Sequence, residues 1–238
     1  MSYSYTDLLA ILGIGGAHPG GLGLTRAIFE ELPISRETNI LEVGCGTGQT
    51  TAYISSNYPC HLHAIEAHST MIEKATARLK QLNLPVTLVN GNAETIPYDS
   101  HNFDIVLSES VTVFTNIEKT IPEYFRVLKK GGSLILIEMT EILPLSEQEK
   151  EELIQFYGFT YIVSEKQWEE TFRKAGFGEI ETIQISEDQM INSENDYSEF
   201  NMSEHIEPEL FNMLDVHEAL TTKYKEKLGF RVFICKKT

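Results

Sequence analysis

At 238 residues, with 42% hydrophobic and 23% charged residues, the chain is long enough and ordinary enough for one well-buried globular domain. A formal net charge of -16 argues against non-specific nucleic-acid binding, since phosphates would be repelled, and it leans mildly toward a neutral or cationic small-molecule partner. No apolar run approaches the roughly 20 residues that cross a bilayer, residues 1–7 do not read as a secretory leader, and Cys45, Cys60 and Cys235 lack ligand spacing. A cytoplasmic protein with free thiols and no metal site is the expectation.

In chain order, residues 1–35 read as a short helix, a glycine-dense stretch over Gly13-Ile14-Gly15-Gly16-Ala17-His18-Pro19-Gly20-Gly21, and a helix from Leu22 to Leu32. Such a hinge suits a lid. Residues 36–140 then alternate short apolar runs with amphipathic segments, the pattern of βαβ units in a parallel sheet. Strands are predicted at 39–43, 61–65, 86–89, 103–108 and 133–139. The helices between them run over 50–57, from an N-cap at Ser69 to Leu82, and from Glu118 to about Leu128 with Gly131-Gly132 as its stop signal. Lys129-Lys130 reads as that helix's end and Lys236-Lys237 as a solvated tail. Beyond residue 140 come helices at 146–156, 165–175 (closed by Gly176) and 207–227, and strands at 179–185 and 230–235. Residues 187–201 are acidic and read as a surface loop or helical insertion. The chain thus reads as one α/β domain, 1–238: a lid at 1–35, a βαβ core at 36–140, and a C-terminal half, 141–238, with helical insertions.

The first strand ends in Glu42-Val43-Gly44-Cys45-Gly46-Thr47-Gly48. Glycines there permit a tight turn and close approach of a ligand to the backbone. The spacing is G-x-G-x-G, unlike the G-x-G-x-x-G of dinucleotide sites, and no Gly-Lys-Ser/Thr follows as in a P-loop. A turn that needs glycines only for its geometry remains an alternative. Glu66, at the end of the second strand, lies about 20 residues on, where a carboxylate meets ribose hydroxyls in strand-turn-helix nucleoside sites. The strand ends that would share its crevice carry Glu42, Asn90 to Glu94 and Ser108-Glu109-Ser110, a polar and acidic rim.

These segments resemble class I S-adenosylmethionine-dependent methyltransferases, in particular the small-molecule branch typified by ubiquinone and menaquinone biosynthesis enzymes. Ile40 to Gly48 is similar to the first motif of that family. Asn92-Ala93-Glu94-Thr95-Ile96-Pro97-Tyr98 with Phe103-Asp104-Ile105-Val106, and Arg126-Val127-Leu128-Lys129-Lys130-Gly131-Gly132, resemble its later segments. The resemblance implies a Rossmann-like seven-stranded, mostly parallel sheet with an antiparallel last strand and helices on both faces. It also implies methyl transfer from S-adenosylmethionine, leaving S-adenosylhomocysteine. The cofactor would pass over Gly44, Cys45, Gly46 and Gly48, with its ribose on Glu66 and Ala67. Its adenine would lie between Met71 and Asn92, Ala93 and Glu94, and its methionine end near Glu42, Ser108 and Glu109. Glu42 and Glu66 stand where Asp is also common.

On the acceptor side, Glu109 is a candidate to orient an amine or hydroxyl, His18 to close over the site as base or donor, and Tyr157 to line the pocket. Each has a plainer alternative: a loop acid, a turn histidine beside Pro19, a core aromatic. His61 and His63 alternate on one strand but lack an acid or Cys partner at ligand spacing, and Trp168 with Phe172 at i+4 reads as helix packing. An in-line displacement needs alignment more than a catalytic signature, and the sequence shows no firm one. A nicotinamide-dependent oxidoreductase and a non-catalytic cofactor-binding protein remain alternatives.

Overall fold

In the computed structural model, residues 3–184 and 200–238 are described. The acidic segment read at 187–201 lies almost wholly outside them. Seven strands form one sheet in the order β3-β2-β1-β4-β5-β7-β6. They are β1 (Asn39–Val43), β2 (His61–Glu66), β3 (Thr87–Asn90), β4 (Phe103–Glu109), β5 (Leu128–Glu141), β6 (Glu179–Ile183) and β7 (Leu228–Lys236). All neighbouring pairs from β3 to β5 are parallel, and β7 runs antiparallel between β5 and β6. The implied topology is the observed one.

Eight α-helices accompany the sheet among the described residues: α1 (Tyr5–Leu12), α2 (Gly21–Glu30), α3 (Gln49–Asn57), α4 (Ser69–Gln81), α5 (Ile117–Val127), α6 (Glu147–Tyr157), α7 (Glu165–Ala175) and α8 (Pro208–Tyr224). Capping residues explain where several begin. Ser4 with Asp7, Ser146 with Glu149 and Ser164 with Gln167 form reciprocal capping boxes on α1, α6 and α7. Alternate β1 residues feed opposite faces of the sheet: Ile40 packs with Phe29 and Ile54, whereas Leu41 and Val43 join the core containing Tyr124 and Val127. Both faces are therefore covered, as a parallel sheet requires. Trp168 and Phe172 stack fully buried on α7, the packing role expected of them.

Three local readings need correction. Helix α4 is capped by the backbone of His68, and Ser69 is its first residue, because Glu66 already accepts the N–H groups of Ala67 and His68. Helix α5 stops at Val127. Gly131-Gly132 lies inside the 14-residue β5, because β7 and the residues after it extend the antiparallel ladder past the glycines, through Gly131 N–H to Lys237 O and Lys237 N–H to Gly132 O. Lys237 is not a solvated tail. It is buried, and its ammonium donates to the carbonyls of Phe125 and Leu128, the orphan acceptors where α5 ends.

The strand order reverses direction between β1 and β4, so the chain leaves their carboxyl ends in opposite senses and opens a crevice there. The N-terminal segment lies over this crevice. It is tied down by Lys74, whose ammonium donates to the carbonyls of Ile11 and Asn201, and by backbone bonds from Asn201 and Ser203 to Gly13 and Ile11.

Candidate functional site

At the carboxyl ends of β1, β2 and β4 the fold forms a half-open cavity of about 450 Å³, within the range of small-molecule sites. Of the expected residues, Glu42, Gly44, Cys45, Gly46, Glu66, Ala67, Met71, Asn92, Ala93, Glu94 and Glu109 line it, and so does His18. Gly48, Ser108 and Tyr157 do not. Gly48 caps α3 and faces Ala75. Ser108 is fully buried, its hydroxyl bonded to Thr112 and Tyr124. Tyr157 meets His217 through its hydroxyl and stacks on Phe159. Phe159 in turn contacts Phe114, which is a cavity wall. The described lining residues run from Thr6 to Thr115.

The glycine turn is shaped by two requirements. Gly44 has φ +73°, and a Cβ there would meet a Val111 methyl at 2.4 Å, so the close seat of the β4 loop forbids a side chain. Gly46 has φ +55°, and a Cβ would meet nothing within 4 Å. That leaves bare backbone facing open space, as a cofactor lying along the chain requires.

The carboxylates sit in different settings. Glu66, 7% exposed, accepts the N–H of Gly46 on one oxygen (2.8 Å) and those of Ala67 and His68 on the other (2.9 and 2.8 Å). It braces the turn from inside and still borders the cavity. Glu42 is buried with one donor, Thr51 Oγ1 at 2.6 Å. Burial pushes its carboxyl up to about 8, helped by the nearby charges of Glu109 and Glu66. Glu94 turns its oxygens to the Asn116 N–H and to Lys119, and the Asn116 bond holds its pKa below the usual range. Cys45, beside these acids, is buried, and its thiol is held well above its ordinary pKa by desolvation.

Glu109 receives the hydroxyls of Thr25 from α2 (2.6 Å) and Thr50 from α3 (2.8 Å). His18 Nε2 stands 3.4 Å from Glu109 Oε2, with the two side chains 4% and 7% exposed. The structure thus pairs two residues that the sequence offered separately. One further contributor went unread: Glu138, fully buried in β5, accepts the N–H groups of Val111 and Thr112 and so holds the loop that forms the cavity's far wall. A lone carboxylate amid Leu134 to Met139 was the available signal.

A glycine turn and an acid-ended second strand meeting at the switch point of a doubly wound sheet define a protein built for a nucleoside-containing cofactor. A methyltransferase domain family matches residues 40–132. The uncharacterized methyltransferase YodH of Bacillus subtilis is 34% identical over 98% of this chain and 99% of its own length. The demethylmenaquinone methyltransferase of Lactococcus lactis is 30% identical, covering 60% of this chain and 67% of its own. Among solved structures, a Haemonchus contortus phosphoethanolamine N-methyltransferase 2 in complex with S-adenosyl-L-methionine superposes with a TM-score of 0.79 at 21% identity. That match covers 100% of this chain, which spans 58% of the longer one. The chain belongs to the methyltransferase family, as a class I S-adenosylmethionine-dependent enzyme.

Proposed function

We propose that the cavity holds S-adenosylmethionine and that a small-molecule acceptor entering under the N-terminal segment takes its methyl group by in-line displacement. The observation that carries this reading is the convergence, in one cavity, of the bare Gly46 backbone, the Glu66 carboxylate and the Asn92-Ala93 segment. In this arrangement the remaining lone pair on Glu66 Oε2 takes a ribose hydroxyl, Met71 and Ala93 flank the adenine, and Glu42 faces the methionine end. The donor supplies an electrophilic methyl on a sulfonium. The chain supplies alignment and exclusion of water, with Thr6, Leu9 and Ile14 of the N-terminal segment closing the cavity as the lid. The small cavity and the chain's acidity favour a small acceptor, and the pattern of free thiols suits a cytoplasmic setting.

Calorimetry with S-adenosylmethionine, S-adenosylhomocysteine and NAD tests the cofactor assignment, with binding of the first two expected. Binding of NAD alone would overturn it. Transfer of labelled methyl groups into metabolites tests the small-molecule acceptor, and label found only on macromolecules would remove it.

A further inference from the structure

Not one of the described residues lining the cavity is lysine or arginine. This follows from the sequence, because the three segments that supply the lining, 1–25, 37–73 and 81–118, contain neither residue, and nor does 175–222. Of the lysines that flank those segments, Lys74 is engaged on the backbone carbonyls of Ile11 and Asn201, and Lys119 on Glu94. Beside the helix that follows the glycine turn, Glu109 and His18 border the cavity. His18 Nε2 is buried and makes no aligned hydrogen bond among the described residues, standing 3.4 Å from Glu109 Oε2. Phe114 adds an aromatic side chain to the same lining.

An anionic acceptor would enter this space with no lysine or arginine to pair it among the described lining residues, at the cost of desolvation and of repulsion by Glu66 and Glu109. A cation would meet carboxylates and an aromatic face. The methyl donor fits the same field, because its carboxylate is offset by its own ammonium and sulfonium.

Resting on the cofactor reading above, we propose that the acceptor is an amine without phosphate or carboxylate, deprotonated at the His18–Glu109 pair. The amine arrives as its ammonium, steered by Glu109. His18 takes one proton, and Glu109 stabilises the imidazolium formed. The freed nitrogen lone pair forms the N–C bond as the C–S bond breaks, and that electron pair leaves on the sulfur of S-adenosylhomocysteine. The nitrogen ends as the methylated ammonium, and His18 returns its proton to solvent. This separates the chain from its structural neighbour whose named substrate class carries a phosphate.

The test supplies the enzyme with labelled S-adenosylmethionine and a mixture of primary, secondary and heteroaromatic amines, each paired with a phosphorylated or carboxylated counterpart such as ethanolamine and phosphoethanolamine. Labelled products are separated by charge. Label in the cation-exchange fraction is expected, with kcat/KM at least tenfold higher for each amine than for its anionic partner. Label in an anionic or neutral product, or none at all from an enzyme that binds the donor by calorimetry, overturns the proposal. Absence of donor binding instead removes the cofactor reading beneath it.

Two variants sharpen the result. Thr6→Lys, which places a cation at the cavity wall, should lower amine turnover and narrow the tenfold gap, and an unchanged ratio would refute the electrostatic argument. His18→Gln should lower kcat for every accepted amine at least tenfold while sparing donor affinity, and an unchanged kcat would remove His18 as the base.

Discussion

In the proposed site the Glu66 carboxylate would serve two partners, the glycine turn and the ribose, and removing it should show both. Its oxygens accept three backbone N–H groups, those of Gly46, Ala67 and His68. Hydrogen bonds to a charged group contribute about 1.5–3 kcal/mol each, although three that share one carboxylate do not add fully. Water entering the cavity left by Glu66→Ala would recover part of the loss. A net destabilisation of about 2–4 kcal/mol is therefore expected without ligand. For a chain of this size, each kcal/mol moves Tm by about 2–4 °C, so differential scanning calorimetry should show Tm falling by roughly 4–16 °C. Affinity for S-adenosylhomocysteine should fall by a further 1–3 kcal/mol or so as the ribose loses its acceptor. Titration below the lowered Tm separates the two effects. An unchanged Tm would refute the bracing of the turn, and an unchanged affinity would refute the ribose assignment. Glu66→Gln should fall between, because its amide cannot accept from Gly46.

Other consequences follow from the same geometry. With Glu42 raised to about 8, a cationic donor must displace its proton. S-adenosylmethionine affinity should then rise on the order of tenfold per pH unit up to about pH 8, and Glu42→Gln should flatten the profile; equal slopes would refute it. Glu138 is likewise raised by burial, to about 7. Both carboxyls are easier to ionise in the unfolded chain, so their contribution to stability is full at acid pH and fades as pH rises through 7 to 8. The Tm of the ligand-free enzyme should fall between about pH 5 and 8, and less so in Glu138→Gln. Gly44→Ala should cost about 1–2 kcal/mol for its left-handed backbone plus the clash with Val111, and adding Val111→Ala should restore only the clash. Lys237→Met, which strands the carbonyls closing α5, should lower stability by about 1–3 kcal/mol, and a Tm within 1 °C or so of wild type would refute the buried-cap role.

What could be read from the sequence divides along physical lines. The glycine turn and the periodicity of β1 to β5 are local constraints, so they were legible, and Glu66 followed because βαβ units have a narrow range of lengths. The stop at Gly131-Gly132 was misread because a glycine pair after a helix is a local signal, whereas β5 extends through it by pairing with the end of the chain about a hundred residues on. Lys237 was misread for the same reason. The His18–Glu109 pair joins residues from separate elements, through α2 and α3 hydroxyls that no spacing rule connects. Tyr157 sat in the right aromatic run but one ring short of the cavity, a distinction set by the packing of Phe159 on Phe114.

The cavity's acids also show how one residue type divides labour by environment. Glu66 is surrounded by N–H donors and stands as a fixed acceptor. Glu42 is buried with one hydroxyl donor, so ionising it calls for a cation nearby. Glu109 has two hydroxyls and an imidazole beside it, which lets it share charge with a group that gains a proton. If the donor neutralises Glu42 and the acceptor answers to Glu109, the two cations bind to different carboxylates and need not compete for one. Saturating donor should therefore leave amine affinity unchanged or improved in the wild type. In Glu42→Gln, donor and amine should become antagonistic, with each weakening the other by the same factor. Isothermal titrations of amine with and without the bound donor analogue sinefungin, which keeps a cationic centre at the sulfonium position, measure this coupling. Equal coupling in wild type and variant would refute the division of charge.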